Sequence, residues 1–153
     1  MLSIDIIIMD QQQPPRERNE TTNNASQPNT DFSLKFTESG GLSNRYLLVS
    51  YNSKTKTITS STDISGSNVK HKQLSESNEQ ELIEAIRTNE FFNTRTDYPP
   101  EKEDENLIAY TLTITMGDSM HTTAWTDESK EIPEHVKEIV NEIKKIVSEE
   151  KII

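Results

Sequence analysis

The sequence predicts an α+β fold in which two helices pack on one face of an antiparallel sheet of four to five strands, in the order βββαββα. Three observations predict it. Apolar residues alternate with Ala or Thr from Ile108 to Met116, before a Gly117-Asp118 turn, as in a β-hairpin. Apolar residues recur at helical spacing from Ile132 to Val147. No candidate strand is a continuous aliphatic run, which disfavours a parallel doubly wound sheet.

Three strands are predicted before the first helix. Residues 32–37 alternate apolar and polar side chains, and residues 46–51 do the same after Gly40-Gly41. Asn52-Ser53 then turns the chain into a polar, lysine-bearing strand at 54–59, as expected of a solvent-facing edge. The Ser/Thr/Asn-rich stretch 59–73 is predicted to be a loop.

The first helix is predicted to begin at Leu74-Ser75, where the serine caps it, or at a capping box of Ser77 and Gln80. It ends near Phe91-Phe92. The second helix runs from Ile132 to Val147, with Pro133 near its first helical position. Its apolar stripe is Ile132, Val136, Ile139, Val140, Ile143, Ile146 and Val147.

The later hairpin has a predicted register. If Gly117 and Asp118 are the central turn residues, the following pairs face each other on the inner side of the sheet: Ile114 with His121, Leu112 with Thr123, and Tyr110 with Trp125. The opposite, solvated face is rich in threonine, including Thr111, Thr113 and Thr115.

The chain divides into an N-terminal arm, residues 1–30, and a single α+β domain, residues 31–153. Residues 11–30 contain one alanine and no larger apolar side chain, so ordering them would cost about 1–2 kcal/mol per residue with almost no burial in return. Residues 2–9 are isoleucine-rich, and both a short added strand and an unpaired segment stay open for them. They have the features of neither a signal peptide nor a membrane anchor, so we expect a cytoplasmic protein.

Charge and composition exclude several function classes. The chain carries 26 acidic and 16 basic residues, a net charge of -10, and its basic residues are scattered. Nucleic acid and membrane are therefore not expected as partners, because phosphate binding needs a concentrated positive face. The absence of cysteine removes disulfides and thiol chemistry.

The sequence predicts neither an enzyme nor a cofactor or metal site. The three histidines lack metal-ligand spacing, and no serine lies in a nucleophile turn. Gly40 and Gly41 belong to neither phosphate-binding glycine motif, and they join two strands rather than a strand and a helix. They form either a turn that needs positive φ or a functional loop.

Five stretches in order resemble the emfourin family of small protein inhibitors of thermolysin-like metalloproteases. They are FTESGGLSNRYLL, LSESNEQELIEAIRTNEFF, LIAYTLTI, HTTAWTDES and the helix after IPEHV, spanning about residues 32–147. The main points of likeness are Ser39-Gly40-Gly41, Leu74-Ser75, Phe91-Phe92, Tyr110 and His121. The connection 52–73 is longer than in the family, and the loop 99–105 is more acidic.

This resemblance implies a non-enzymatic partner-binding protein that blocks a zinc-protease cleft with a rigid loop. The first candidate loop comprises Glu38, Ser39, Gly40, Gly41 and Leu42, with Leu42 filling an apolar subsite and Glu38 approaching the zinc. The alternative loop comprises Tyr98, Pro99, Pro100, Glu101, Glu103, Asp104 and Glu105, stiffened by its prolines.

Two other classes of function stay open. One is a protein-interaction module without a protease target, binding through the threonine-rich face or the acidic loop. The other is a ligand-binding domain that uses the face of Tyr110, His121 and Trp125. The second hypothesis requires that the helices leave this face uncovered.

Overall fold

The computed structural model describes residues 31–88, 90–103 and 106–149. The strands and helices in these ranges are β1 (Phe32–Gly40), β2 (Arg45–Asn52), β3 (Thr57–Ser61), β4 (Val69–Gln73), α1 (Glu76–Thr88), β5 (Asp97–Tyr98), β6 (Ile108–Met116), β7 (Ser119–Thr126) and α2 (Glu134–Glu149). A single 3-10 turn, Phe91–Asn93, lies between α1 and β5. The predicted arm, with its open question at residues 2–9, lies outside the described residues.

The α+β class is confirmed, but the predicted sheet of four to five antiparallel strands is too small. The strands form one seven-stranded sheet in the order β4-β3-β2-β1-β6-β7-β5. Neighbours are antiparallel except β5 and β7, which are parallel, so the sheet is mixed.

The two unpredicted strands lie at the edges, where the sequence carries little signal. All five residues of β4, VKHKQ, are exposed, so no alternation of buried side chains marks it within the predicted loop 59–73. Strand β3 begins at Thr57 instead of Lys54. The edge position that was predicted for β3 is occupied by β4. Strand β5 has two residues, too few for any periodicity.

The predicted register of the β6–β7 hairpin is confirmed. Ile114 pairs with His121, and Tyr110 pairs with Trp125. The turn places Gly117 at a φ of 60°, a conformation that glycine adopts without steric cost.

Both helices cover the same face of the sheet. Tyr51 on β2 donates a hydrogen bond to Glu79 of α1, and Lys144 of α2 lies over the Phe36 ring of β1. The cross-strand pairs place Tyr51 and Phe36 on one side of the sheet. The core between sheet and helices includes Phe32, Leu34, Phe36, Val49, Ile58, Leu82, Ile86, Leu112, Ile114, Val136, Ile139, Ile143, Ile146 and Val147. Burying each of these side chains contributes about 1.5–3 kcal/mol relative to its exposure.

The helix starts follow from their caps. The Ser75 hydroxyl accepts a hydrogen bond from the Asn78 amide at 3.1 Å, which confirms the first of the two predicted caps for α1. Helix α2 begins two residues later than predicted. The carbonyl of Pro133 accepts the amide of Val136 at 3.1 Å, so this proline precedes the helix.

Candidate functional site

The tip of the β1–β2 hairpin is a rigid turn built on two glycines. Gly40 and Gly41 have φ angles of 104° and 82°, as the turn interpretation predicts. The Gly41 amide donates to the Leu107 carbonyl at 3.1 Å, and the Asn44 amide donates to the Gly41 carbonyl at 3.0 Å. The tip is therefore held both internally and by the chain that enters β6.

Side chains at the two glycine positions would collide with that neighbouring chain. A Cβ on Gly40 would lie 2.5 Å from the Leu107 carbonyl oxygen, and one on Gly41 would lie 3.0 Å from Cγ1 of Ile108. Close backbone approach thus adds to the φ requirement. The glycines fix where the tip lies relative to residues 106–108.

The tip presents one large apolar side chain to solvent. Leu42 is 88% exposed, directly after Gly41, while Ser39 is half-buried at the end of β1. A single exposed leucine is ordinary on a protein surface. Here it sits on backbone that is already ordered, so binding through it would immobilise little additional chain.

Glu38 occupies a different environment from the one that a metal-approaching role needs. Its side chain lies on the same inward face of β1 as Phe36 and is 4% exposed. Its Oε2 accepts a hydrogen bond from Arg45 Nη1 at 2.5 Å, and its Oε1 lies 2.9 Å from Lys144 Nζ. Burial opposes ionisation, but the hydrogen bonds and positive charges of Lys144 and Arg45 outweigh it and lower the pKa of Glu38. The carboxylate ties β1 to β2 and to α2.

The alternative loop is fastened to the chain that follows β7. Tyr98 is buried in β5, and Pro99 is exposed. Pro100 forms an isolated bridge with Ser129. Glu101 is held through its backbone and its side chain. Its amide donates to the Glu128 carbonyl at 3.2 Å, and its carboxylate pairs with Lys130 at 3.0 Å. Glu103 is exposed, and Asp104 and Glu105 lie outside the described residues.

At one end of the sheet, the hairpin tip contacts the segment that follows the alternative loop. The hairpin tip contacts Leu107, which is the last residue before β6, and Gly40 pairs with Ile108. The composition of the two loops does not predict this contact, because it gives no indication that β1 and β6 are neighbours. A substitution at Gly41 would consequently disturb the segment that enters β6.

A third loop at this end was not predicted as part of the site. Residues 62–68 connect β3 to β4 and expose Ile64 at 82%. A cavity of about 730 Å³ separates this loop from the hairpin; its lining residues are Ser39, Gly40, Asn44, Arg45, Tyr46, Thr62, Asp63, Ile64 and Asn68. The available sequence signal was an isoleucine inside a polar, glycine-containing stretch.

The aromatic face of the third hypothesis is mostly covered. His121 contacts Thr94 Oγ1 at 3.0 Å and the edge of Phe91. Tyr110 and Trp125 stack at 5.4 Å between ring centroids, and Trp125 is 8% exposed. Burial raises the pKa of Tyr110. These two rings line an open cavity of about 620 Å³ beside α2, but His121 is not among its lining residues. The three predicted residues therefore do not form one site.

Within residues 31–88, 90–103 and 106–149, no three His, Asp or Glu side chains converge as a metal site. No helix in the same ranges combines the length and the apolar composition needed to cross a membrane. No protein-family model matches the chain, and a search of curated proteins also finds no match.

Proposed function

We propose that this protein is a non-enzymatic inhibitor of a thermolysin-like zinc metalloprotease. The hairpin tip, from Ser39 to Leu42, occludes the active-site cleft, and Leu42 fills an apolar subsite. The observation that carries the proposal is an 88% exposed leucine on a turn with an ordered backbone. We infer the class of protease from the emfourin-like order of motifs. We also propose that the protein is cytoplasmic.

Preorganisation is the physical basis of the proposed inhibition. A flexible peptide loses backbone entropy of about 1–2 kcal/mol per residue when it is ordered in a cleft. The hairpin tip is already fixed by the hydrogen bonds of Gly41 and Asn44, so more of the energy of burying Leu42 is available for binding. The tip blocks substrate by occupying space.

Glu38 acts as a support in this mechanism. Its ion pairs with Arg45 and Lys144 join the base of the hairpin to α2. Moving the carboxylate to a zinc ion would break both contacts and leave two cations without their partner. We therefore assign the contact with the protease to the residues after Glu38.

The test is a titration of the purified protein against a thermolysin-like protease, following peptide hydrolysis. We expect saturable inhibition that Leu42→Ala weakens roughly 10- to 100-fold, since burying a leucine contributes about 1.5–3 kcal/mol. Met120→Ala is the matched control, because Met120 is 70% exposed near the turn between β6 and β7. Gly41→Val is a less direct test than Leu42→Ala, because the Gly41 amide donates to the Leu107 carbonyl and the substitution would also disturb the segment that enters β6. No inhibition at high micromolar protein would refute the proposal.

A second candidate function is a protein-interaction module that binds through the acidic loop. The exposed side chains of Glu101 and Glu103 favour it, because they lie on a segment fastened by Pro100. Binding through these charges would weaken as ionic strength rises, and Glu103→Gln would reduce it. Binding through Leu42 would be nearly independent of salt. A salt titration of the complex therefore distinguishes the two surfaces.

A further inference from the structure

The loop of residues 62–68, here called the Ile64 loop, is organised by its own side chains. The Asp63 carboxylate accepts the Ser65 amide at 3.0 Å and the Ser67 hydroxyl at 2.6 Å. The Gly66 amide donates to the Asp63 carbonyl at 2.9 Å. These bonds give the loop a defined shape, and that shape leaves Ile64 pointing away from any core, at 82% exposure.

The Ile64 loop and the hairpin tip stand side by side. Residues of both line the 730 Å³ cavity, and Ser61, the last residue of β3, pairs with Leu48 of β2. The strands thus set the spacing between the loops. Each loop carries one exposed aliphatic side chain, Leu42 on the hairpin tip and Ile64 on its neighbour.

Exposed apolar side chains are concentrated at this end. Among the described residues, the exposed large hydrophobics are Leu42, Ile64, Val69 and Met120. The first three belong to the hairpin tip, the Ile64 loop and the strand start that follows it. Scattered single residues need no explanation, whereas grouped ones rimmed by polar groups mark interaction surfaces.

We propose that the Ile64 loop is a second inhibitory arm, which inserts Ile64 into a second apolar subsite of the same protease cleft. This inference rests on the proposed function. The partner that fits is a cleft with two apolar depressions separated by a polar ridge. The cavity between the loops offers that ridge hydrogen-bonding groups of both kinds, including Arg45 as a donor and Asp63 as an acceptor.

Two apolar contacts on ordered loops fit a cleft better than one. The second arm fixes the orientation of the inhibitor, because a single inserted side chain leaves rotation about its own axis free. The hydrogen bonds of Asp63 already order the Ile64 loop, so this second arm also loses little conformational entropy on binding. Asp63 has a positioning role, since its carboxylate shapes the loop and Ile64 makes the contact with the protease.

The test compares the inhibition constants of five variants with that of the wild type. We expect Ile64→Ala and Leu42→Ala each to weaken inhibition about 10-fold or more. The inhibition constant of the double variant should rise by the product of the two single-variant factors, because the two side chains contact separate depressions. Met120→Ala should match the wild type. Asp63→Ala should weaken inhibition while Ile64 is retained. Thermal unfolding of each variant confirms that it is folded.

The outcomes separate the inference from the proposed function. If the wild type inhibits and Leu42→Ala weakens it, but Ile64→Ala equals the wild type, the second arm is refuted and the first stands. If the wild type inhibits no thermolysin-like protease, both are refuted. Loss of inhibition in Ile64→Ala and Leu42→Ala with an unchanged Met120→Ala control supports both.

Discussion

The two ends of the sheet are built differently. At one end, here called the turn end, β6 and β7 are joined by Gly117 and Asp118, and β2 and β3 by residues 53–56. At the other, here called the loop end, lie the hairpin tip, the Ile64 loop and the segment that enters β6. Leu42 and Ile64, both more than 80% exposed, belong to the loop end.

The turn end only connects strands, whereas the loop end contains more chain than the connections between strands require. Short turns suffice to connect antiparallel strands, and the turn end uses them. At the loop end, β3 and β4 are joined by seven residues, 62–68, and this connection buries no large side chain. Its internal hydrogen bonds order that connection without adding to the core. We attribute this ordered connection to the proposed binding function.

The largest effect is expected for Gly40→Ala. The methyl group would meet the Leu107 carbonyl oxygen at 2.5 Å, on backbone with a φ of 104°. We expect a loss of about 3 kcal/mol or more in the free energy of unfolding, from strain plus displacement of the segment that enters β6. Urea unfolding measures it.

Gly66→Ala is the matched control, since its φ is 78° and nothing lies within 4 Å of the added Cβ. Gly66→Ala should lower the free energy of unfolding by about 1 kcal/mol, which is the backbone strain of a positive φ alone. Equal losses at the two positions would contradict the claim that the hairpin tip is fixed by close backbone approach.

Glu38→Gln should lower the free energy of unfolding by about 2 kcal/mol, because it leaves Lys144 and Arg45 without the carboxylate they share. Chemical denaturation measures the change. Glu81→Gln is the comparison, since Glu81 pairs with Lys145 where both side chains are about half exposed. That variant should change stability by less than about 1 kcal/mol. A Glu38→Gln protein as stable as the wild type would remove the proposed support.

The same carboxylate predicts a pH dependence. Its pKa is lower in the folded protein than the ordinary value, which the unfolded chain has. The stabilisation is therefore fully present above the unfolded pKa of about 4.3 and is lost as the pH falls through the folded pKa. The difference in melting temperature between wild type and Glu38→Gln should be constant near neutrality and should shrink below about pH 4. A difference that grows on acidification would contradict the assignment.

The smallest effects on stability are expected for Leu42→Ala, Ile64→Ala and Met120→Ala, all exposed positions. Each should stay within about 0.5 kcal/mol of the wild type. The two substitutions at the loop end should nevertheless change inhibition, and the one at the turn end should not. A destabilised Leu42→Ala would show that the leucine contributes to the fold.

Much of the fold could be predicted from the sequence because buried strands and helices impose periodic patterns. The alternation from Ile108 to Met116 predicted β6, and the Gly117-Asp118 turn predicted its register with β7. Strand β4 could not be predicted in this way, since all of its side chains are exposed. The two residues of β5 are defined by pairing with β7, which no local pattern encodes.

The candidate site was predicted less completely, for physical reasons that differ between residues. Gly40 and Gly41 were identified because positive φ favours glycine. Glu38 continues the alternation of Phe36, which could have indicated its burial, but its partner Lys144 is distant in sequence. Ile64 lies in an aperiodic loop, and the closeness of that loop to the base of the hairpin tip depends on the order of the strands.

The most direct test of the central claim is amide hydrogen exchange of the protein with and without a thermolysin-like protease. We expect protection on binding at residues 40–44 and 62–68, with residues 53–56 and 117–118 unchanged. Protection at the turn end, or no protection at saturating protease, would contradict the assignment of the loop end as the inhibitory surface.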